Sequence, residues 1–327
     1  MYNNSYHTTD LRDTAFLITG GAGFIGSNLV RYLLAHGAAK VRVLDNLSTG
    51  SLSNLQQFIS DPAFEFTEGD IRDLETCKQS CRGIHYVSHL AALGSVPRSI
   101  HDPLSTNQVN IDGFLNMLMA AKDENVKRMV YAASSSTYGD SKELPKQEDK
   151  IGNPLSPYAV TKLVNELYAD VFRKTYGTDS IGLRYFNVFG PNQDPGGAYA
   201  AVIPLFIQAV LSGQPAMING DGSQTRDFTF IENVIQANVK AMLYPAPLPH
   251  TIYNVACGER ISLNGIWALL KELAGTDPGQ TFRPSRTGDI HDSLADISRI
   301  KTDLGYQPLF SVREGIKLTL DWTKNKL

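Results

Sequence analysis

The chain has 327 residues, 42% hydrophobic and 19% charged, with a formal net charge of −3. That is apolar material for one large α/β unit or two closely joined domains. The slightly acidic balance speaks against a nucleic-acid binder and against a polybasic membrane anchor.

Residues 1–14 are polar and lack the apolar run of a secretory signal, and no stretch has the length and apolarity to span a bilayer. Residues 15–19 (AFLIT) read as a buried strand. It runs into Gly20-Gly21-Ala22-Gly23-Phe24-Ile25-Gly26, and residues 24–36 then carry apolar side chains at helical spacing. Gly21, Gly23 and Gly26 fit G-x-G-x-x-G; Gly20, Gly23 and Gly26 fit G-x-x-G-x-x-G. Glycine is needed there because the turn is tight, a pyrophosphate must touch backbone, and the helix packs close to the strand. The helix start adds free N–H groups and a positive dipole end. Residues 40–45 form the second strand, ending in Asp45. An acid about 20 residues past the glycines hydrogen-bonds the adenosine ribose diol and repels a 2′-phosphate, which predicts NAD rather than NADP. Asp70-Ile71 follows a third strand at 63–67; Asp70 reads as an acid at the adenine edge or as a turn aspartate.

Helices are expected near 51–60, 73–82, 105–124 and 157–176, and strands at 84–88, 127–132 and 179–183. Strands alternating with helices predict a parallel sheet covered on both faces. The expected fold is an NAD-binding Rossmann doubly wound sheet with a smaller α/β substrate-binding lobe. Residues 1–185 form the first, with later segments returning to it, and 186–327 mainly the second. Past residue 185 come loops at 190–197 and 219–222 and helices at 201–212, 231–243, 262–274 and 311–324. The three cysteines, Cys77, Cys81 and Cys257, include no CxxC pair. This argues against a disulfide framework or a metal site and predicts reduced thiols in a cytoplasmic protein.

Ser156-Pro157-Tyr158-Ala159-Val160-Thr161-Lys162 opens the helix at 157–176, with Ser156 suited to the cap and Pro157 to the first turn. Tyr158 and Lys162 stand four residues apart and share a face. A phenol titrates near 10; a neighbouring ammonium and a cationic nicotinamide are expected to lower it toward a working base. The strand at 127–132 leads to Ser134-Ser135-Ser136, hydroxyls at the end of a sheet where doubly wound folds bind ligands. One of the three is expected to relay a substrate proton.

Together TGGAGFIG, the stretch Asp45-Asn46-Leu47-Ser48-Thr49-Gly50, Asp70-Ile71, His89-Leu90-Ala91-Ala92, the serine cluster and YAVTK resemble the extended short-chain dehydrogenase/reductase family, and within it the nucleotide-sugar 4-epimerases. The resemblance extends over essentially the whole chain through Arg184-Tyr185-Phe186-Asn187, Asn219-Gly220-Asp221-Gly222, Arg226-Asp227-Phe228 and Arg286-Thr287-Gly288-Asp289. It implies Tyr158 as base, Lys162 as its partner and Ser134 as the relay hydroxyl. It also implies that Phe24, Ile25, Asp45 to Gly50, Asp70, Ile71, Leu90, Ala91, Ala92 and Asn110 surround NAD. Gly94, Ser95, the three serines, Asn187, Val202, Arg226, Arg286, Asp289 and Ser293 would meet a UDP-sugar. Ser135 and Ser136 stand where the family's dehydratases carry Asp-Glu, which disfavours dehydration. Ser293 replaces a bulky tyrosine and Gly94 a lysine of galactose-type members, leaving room for an N-acetyl group. The expectation is C4 epimerisation of UDP-N-acetylhexosamines or their uronic acids. The alternatives are a UDP-glucose/UDP-galactose or UDP-glucuronate 4-epimerase, a reductase or decarboxylase, and a non-catalytic NAD sensor, against which the Tyr158/Lys162 pair weighs. A homodimer built on helices near 105–124 and 157–176 is implied by the resemblance alone.

Overall fold

The computed structural model describes residues 1–196, 200–284 and 292–326. In chain order the first half comprises β1 (Ala15–Thr19), α1 (Phe24–Ala35), β2 (Lys40–Asp45), β3 (Phe64–Glu68), α2 (Leu74–Cys81), β4 (Tyr86–His89), α3 (Val96–His101), α4 (Pro103–Asn107), α5 (Gly113–Asp123), β5 (Arg128–Ser134), α6 (Pro157–Tyr176) and β6 (Ser180–Tyr185). Then follow β7 (Val188–Phe189), α7 (Val202–Leu211), β8 (Ala216–Asn219), β9 (Thr225–Arg226), β10 (Thr229–Phe230), α8 (Ile231–Leu243), β11 (Ile252–Val255), β12 (Ile261–Ser262), α9 (Leu263–Ala274), β13 (Gln280–Arg283), α10 (Ser298–Leu304) and α11 (Val312–Lys324).

Seven strands make one sheet in the order β3-β2-β1-β4-β5-β6-β11, each pair parallel. The inner strands β1, β4, β5 and β6 are buried along nearly their whole length because helices cover both faces, whereas β2 and the edge strand β3 alternate in sequence. The order reverses between β1 and β4. Such a switch point opens a crevice at the carboxyl ends of the strands, here at Thr19, which lies opposite Leu44 and His89. The last strand, β11, comes from the second half of the chain and pairs with β6. Two apolar clusters fill the two sides, one built on Phe16, Ile18, Val41, Val43, α1 and α8, the other on Leu17, Val87, Met129, Phe114 and α5.

The remaining strands form two-stranded pairs: β7 with β10, β9 with β12 and β8 with β13. All six, with β11, are additional to the strands read from sequence, as are the helices α3 and α10. Two helices differ from expectation. The stretch 51–60 is not an α-helix but two single 3₁₀ turns, Leu52–Asn54 and Gln56–Phe58. Its apolar residues Leu52, Leu55 and Phe58 recur every third position, the period of a 3₁₀ turn. The expected helix at 105–124 is a composite beginning at Val96, with α3 and α4 joined at Asp102 and a π turn, Gln108–Asp112, before α5. No described helix is long and apolar enough to cross a membrane.

Candidate active site

The cleft at the switch point is lined by Gly20, Gly23, Phe24, Ile25, Gly26, Asp45, Asn46, Ser48, Thr49, Ile71, Leu90, Ala91, Ala92 and Gly94. Gly20 has a φ of +68°, and a Cβ on it would lie 2.7 Å from the Ala91 nitrogen. A Cβ on Gly26 would lie 2.3 Å from the Gly20 carbonyl oxygen, so the helix starts against the strand end only because both are glycine. Gly23 differs: a Cβ there would meet only the Gly20 oxygen, at 3.2 Å, and its open side faces the cleft. Bare backbone at Gly23 and the first free N–H groups of α1 form a cradle suited to a pyrophosphate. The buried Asp45 carboxylate accepts the Ala22 N–H at 2.9 Å and the Leu47 N–H at 2.8 Å. Each oxygen keeps a lone pair for a diol. Burial raises this carboxyl above its ordinary range while the two N–H groups pull it down.

Leu47 and Gly50 act from behind the cleft wall. Leu47 takes a φ of +58°, and a Cβ on Gly50 would press on the Ala22 carbonyl carbon at 2.9 Å. Asp70 pairs with Arg72 at 2.7 Å, accepts from Asn46 at 2.9 Å and takes the Arg72 N–H of its own turn. The Arg72 guanidinium holds its carboxyl at about 2, and Ile71 rather than Asp70 reaches the cleft. Asn110 sits in the π turn, accepts the Leu93 N–H at 2.8 Å and donates to the Thr161 hydroxyl at 3.1 Å. It ties the loop that carries Gly94 to the helix that carries Tyr158. The cleft is also lined by Leu44, Gly69, Leu93, Arg98, Val109 and Ala132, which the sequence reading did not name.

The three expected catalytic residues come together at the end of β5. Ser156 caps α6 by accepting the Ala159 N–H, so the first turn presents Tyr158 toward β5. Lys162, 4% exposed, donates to the Ala132 carbonyl at 2.7 Å, and its Nζ lies 5.8 Å from the centre of the Tyr158 ring. Ser134 Oγ accepts from the Ser136 N–H at 3.1 Å and from the Ser136 hydroxyl at 2.9 Å, so its own proton is directed elsewhere. That distinguishes the serines: Ser134 is the one coupled to Tyr158, and Ser136 orients it.

The charge balance departs from expectation. Burial raises the Tyr158 phenol, and only the Ser134 hydroxyl draws it down. Burial likewise pushes Lys162 down to about 8, opposed by Glu166 one turn along α6. Both Glu166 oxygens are held by Arg184, at 2.8 and 2.7 Å. The lysine is not what draws the phenol down here, because its ammonium is turned to the Ala132 carbonyl. Glu166 was not singled out from sequence; its place at i+4 from Lys162 was the available signal.

On the other side, Asn187 (φ +35°) donates to the Asp227 carbonyl at 3.0 Å and takes the Thr229 N–H on its own carbonyl. Val202 is the first residue of α7 and half-buried. Arg226, also half-buried, donates to the Thr225 carbonyl at 2.9 Å. Ser293 donates its N–H to the same Thr225 carbonyl at 3.1 Å. Ser95 caps α3 by accepting the Arg98 N–H. Arg286 and Asp289 lie outside the described residues. Among the described residues no group of three or more His, Cys, Asp or Glu is arranged for a metal.

The NAD dependent epimerase/dehydratase family profile matches residues 16–256. A UDP-glucose 4-epimerase of Mycolicibacterium smegmatis is 38% identical, over 95% of this chain and 98% of that protein. The structure of a UDP-N-acetylglucosamine 4-epimerase from Methanobrevibacter ruminantium, in complex with UDP-N-acetylmuramic acid, superposes with a TM-score of 0.90 at 36% identity. It covers 96% of this chain and 99% of that one. A UDP-glucuronic acid 4-epimerase from Bacillus cereus, in complex with UDP-glucuronic acid and NAD, gives 0.88 at 32% identity, covering 96% and 100%.

Proposed function

The chain belongs to the NAD dependent epimerase/dehydratase family, and from that premise we propose that it inverts C4 of UDP-N-acetylhexosamines, such as UDP-GlcNAc to UDP-GalNAc, or of the corresponding uronic acids. The coarser activity, NAD-dependent 4-epimerisation of a UDP-sugar, is supported by relatives that share about a third of their residues over nearly the full length. The N-acetyl preference rests on this chain's own residues. Its main support is small size at two positions: a Cβ on Gly94 would meet nothing within 4 Å, and residue 293, hung beside Arg226, is only a serine.

In this reading the residues take the following roles. Gly20, Gly23 and the start of α1 hold the cofactor pyrophosphate, and Asp45 its ribose. NAD held there supplies a hydride acceptor and donor next to the sugar ring. Tyr158 takes the proton of the 4-hydroxyl. The Ser134 proton, freed by Ser136, stabilises the phenolate. Lys162, beside the Tyr158 ring, would hold the cofactor's nicotinamide ribose and supply a positive charge near the phenolate. Asn187, Arg226 and Arg286 would grip the diphosphate while the transient 4-keto sugar turns over. Tyr158 then returns the proton to O4.

A substrate panel tests this reading: UDP-GlcNAc, UDP-Glc and UDP-GlcNAc-uronate, with no added reductant. The N-acetylated sugars should show kcat/KM at least about 10-fold above UDP-Glc, the scale of fit in one pocket. Equal or better use of UDP-Glc removes the N-acetyl preference, and release of carbon dioxide or net consumption of reduced cofactor removes epimerisation. We also infer that two copies pair through α4 and α6, where Leu104 and Leu167 are 76% and 59% exposed and Val160, Leu167 and Val171 share one helical face. Light scattering at a dimer mass supports this; a monomer mass at micromolar concentration rejects it.

A further inference from the structure

Residues 1–14 look featureless in sequence, yet Tyr2, Tyr6 and Leu11 are buried. The segment crosses α1 and the first turn of α8. Tyr6 stacks on Tyr32 with ring centroids 5.2 Å apart, donates its amide N–H to the Tyr32 Oη at 2.8 Å, and donates its hydroxyl to Glu232 Oε1 at 2.9 Å. Tyr2 is held harder. Its N–H donates to Glu232 at 2.9 Å, its carbonyl lies 3.0 Å from His36 Nε2, and its hydroxyl donates to Asn28 Oδ1 at 2.6 Å. These contacts fix it at a φ of +66°, a region costly for a residue with a side chain.

Asn28 gives the strap its consequence. It is 2% exposed, and its Nδ2 donates to the Phe24 carbonyl at 2.8 Å and to the Pro191 carbonyl at 2.9 Å. Phe24 begins α1 and lines the cofactor cleft. Pro191 lies in the loop that follows Asn187 and β7. Beside it Asn192 donates to Ser27 of α1 at 3.1 Å. One buried amide thus joins the cofactor helix to the substrate-side loop, and the Tyr2 hydroxyl satisfies the oxygen of that amide. With the hydroxyl gone, a buried acceptor is left without its partner and the amide loses its fixed orientation.

We propose that Tyr2 is a positioning residue that, through Asn28, sets the distance between the cofactor cradle and the substrate-side loop. Tyr2→Phe keeps the buried ring and deletes only the hydroxyl; Asn28→Ala deletes the joint. The proposal rests on the UDP-sugar reading above, so the 327-residue chain, tagged at its C-terminus, is titrated calorimetrically with UDP and separately with NAD. Tyr2→Phe should weaken UDP about 3- to 10-fold and raise the UDP-sugar KM to match, with kcat within 2-fold. The Tyr2→Phe/Asn28→Ala double variant should be no weaker than Asn28→Ala alone, the signature of one coupled unit. UDP and NAD affinities equal to wild type in Tyr2→Phe, with only the melting temperature lowered, overturn it, as do additive losses in the double variant. Wild-type protein that binds NAD but not UDP would sink the UDP-sugar reading itself.

Discussion

The two halves of the molecule are held together by different means. The sheet half is built from contiguous parallel ladders of backbone hydrogen bonds, and its cleft is shaped by where side chains are missing, at Gly20, Gly23 and Gly26. Apart from β11, the described strands of the substrate side form two-stranded pairs, and its loops hang on buried polar side chains. Asp227, 0% exposed, accepts the N–H groups of Cys257, Gly258 and Ala295 at 3.0, 3.1 and 3.2 Å. Asn233 accepts from Leu309 and Phe310 and donates to the Phe310 carbonyl. Asn254 donates to Lys146 and Asp296 and accepts the Tyr138 hydroxyl. The first half should be sensitive to added atoms, the second to lost partners.

The largest effect is expected where the two halves meet. Tyr158→Phe should lower kcat by about 10³-fold, within the span of general acid–base catalysis, with the melting temperature unchanged; activity within 10-fold of wild type would displace Tyr158 as the base. The next test separates the halves. Gly26→Ala should abolish NAD binding by calorimetry, because the new methyl collides with the Gly20 carbonyl. Asp227→Ala should cost about 3–5 kcal/mol of stability, since it strands three buried donors at roughly 1–3 kcal/mol each with partial recovery by water. If denaturation shows Asp227→Ala as stable as wild type, the contrast between the halves fails.

Titration gives the halves opposite signs. Burial, with a smaller push from the Lys162 charge, holds the His89 imidazole down at about 3, where its Nδ1 contacts the Thr19 hydroxyl at 2.8 Å. Its folded value is below its unfolded one, so its contribution is present above about pH 6.5 and is lost as the pH falls toward 3. Burial pushes the Asp227 carboxyl up to about 7 against its three N–H partners. Its contribution is present below about pH 4 and is lost as the pH rises through 7. Each slope approaches about 1.4 kcal/mol per pH unit. Relative to wild type, His89→Gln should gain melting temperature from pH 6.5 to 4.5, and Asp227→Asn should gain it from pH 5 to 7.5. Parallel curves in either pair would remove that group from the account. The smallest effect is one of selectivity: Ser293→Tyr should lower kcat/KM about 10-fold on UDP-GlcNAc while sparing UDP-Glc, and equal losses on both would end the role of residue 293.

The same contrast explains what could be read from the residues alone. Strand periodicity, the glycine turn, Asp45 and the cap of α6 are local signals, and they located β1 to β6, the cleft and the Tyr158/Lys162 face. The π turn at Asn110 left no local mark, because its residues suit an ordinary helix and only the bonds to Leu93 and Thr161 explain it. The roles of Asp227 and Tyr2 were missed for a related reason: their partners lie 26 or more residues away. The Lys162 bond to the Ala132 carbonyl is not legible in the sequence, because an i,i+4 spacing does not say where an ammonium points. Ser134 was named among three serines by resemblance; the bonds from Ser136 supply the physical reason.

The central claim is that the hydrogen on C4 leaves and returns to the same carbon while Tyr158 handles only the hydroxyl proton. UDP-GlcNAc deuterated at C4, incubated with the protein in ordinary water without added reductant and followed by NMR, tests it directly. The account predicts UDP-GalNAc with deuterium retained at C4. Deuterium washed out to solvent, or no epimer formed from any UDP-sugar, would contradict it.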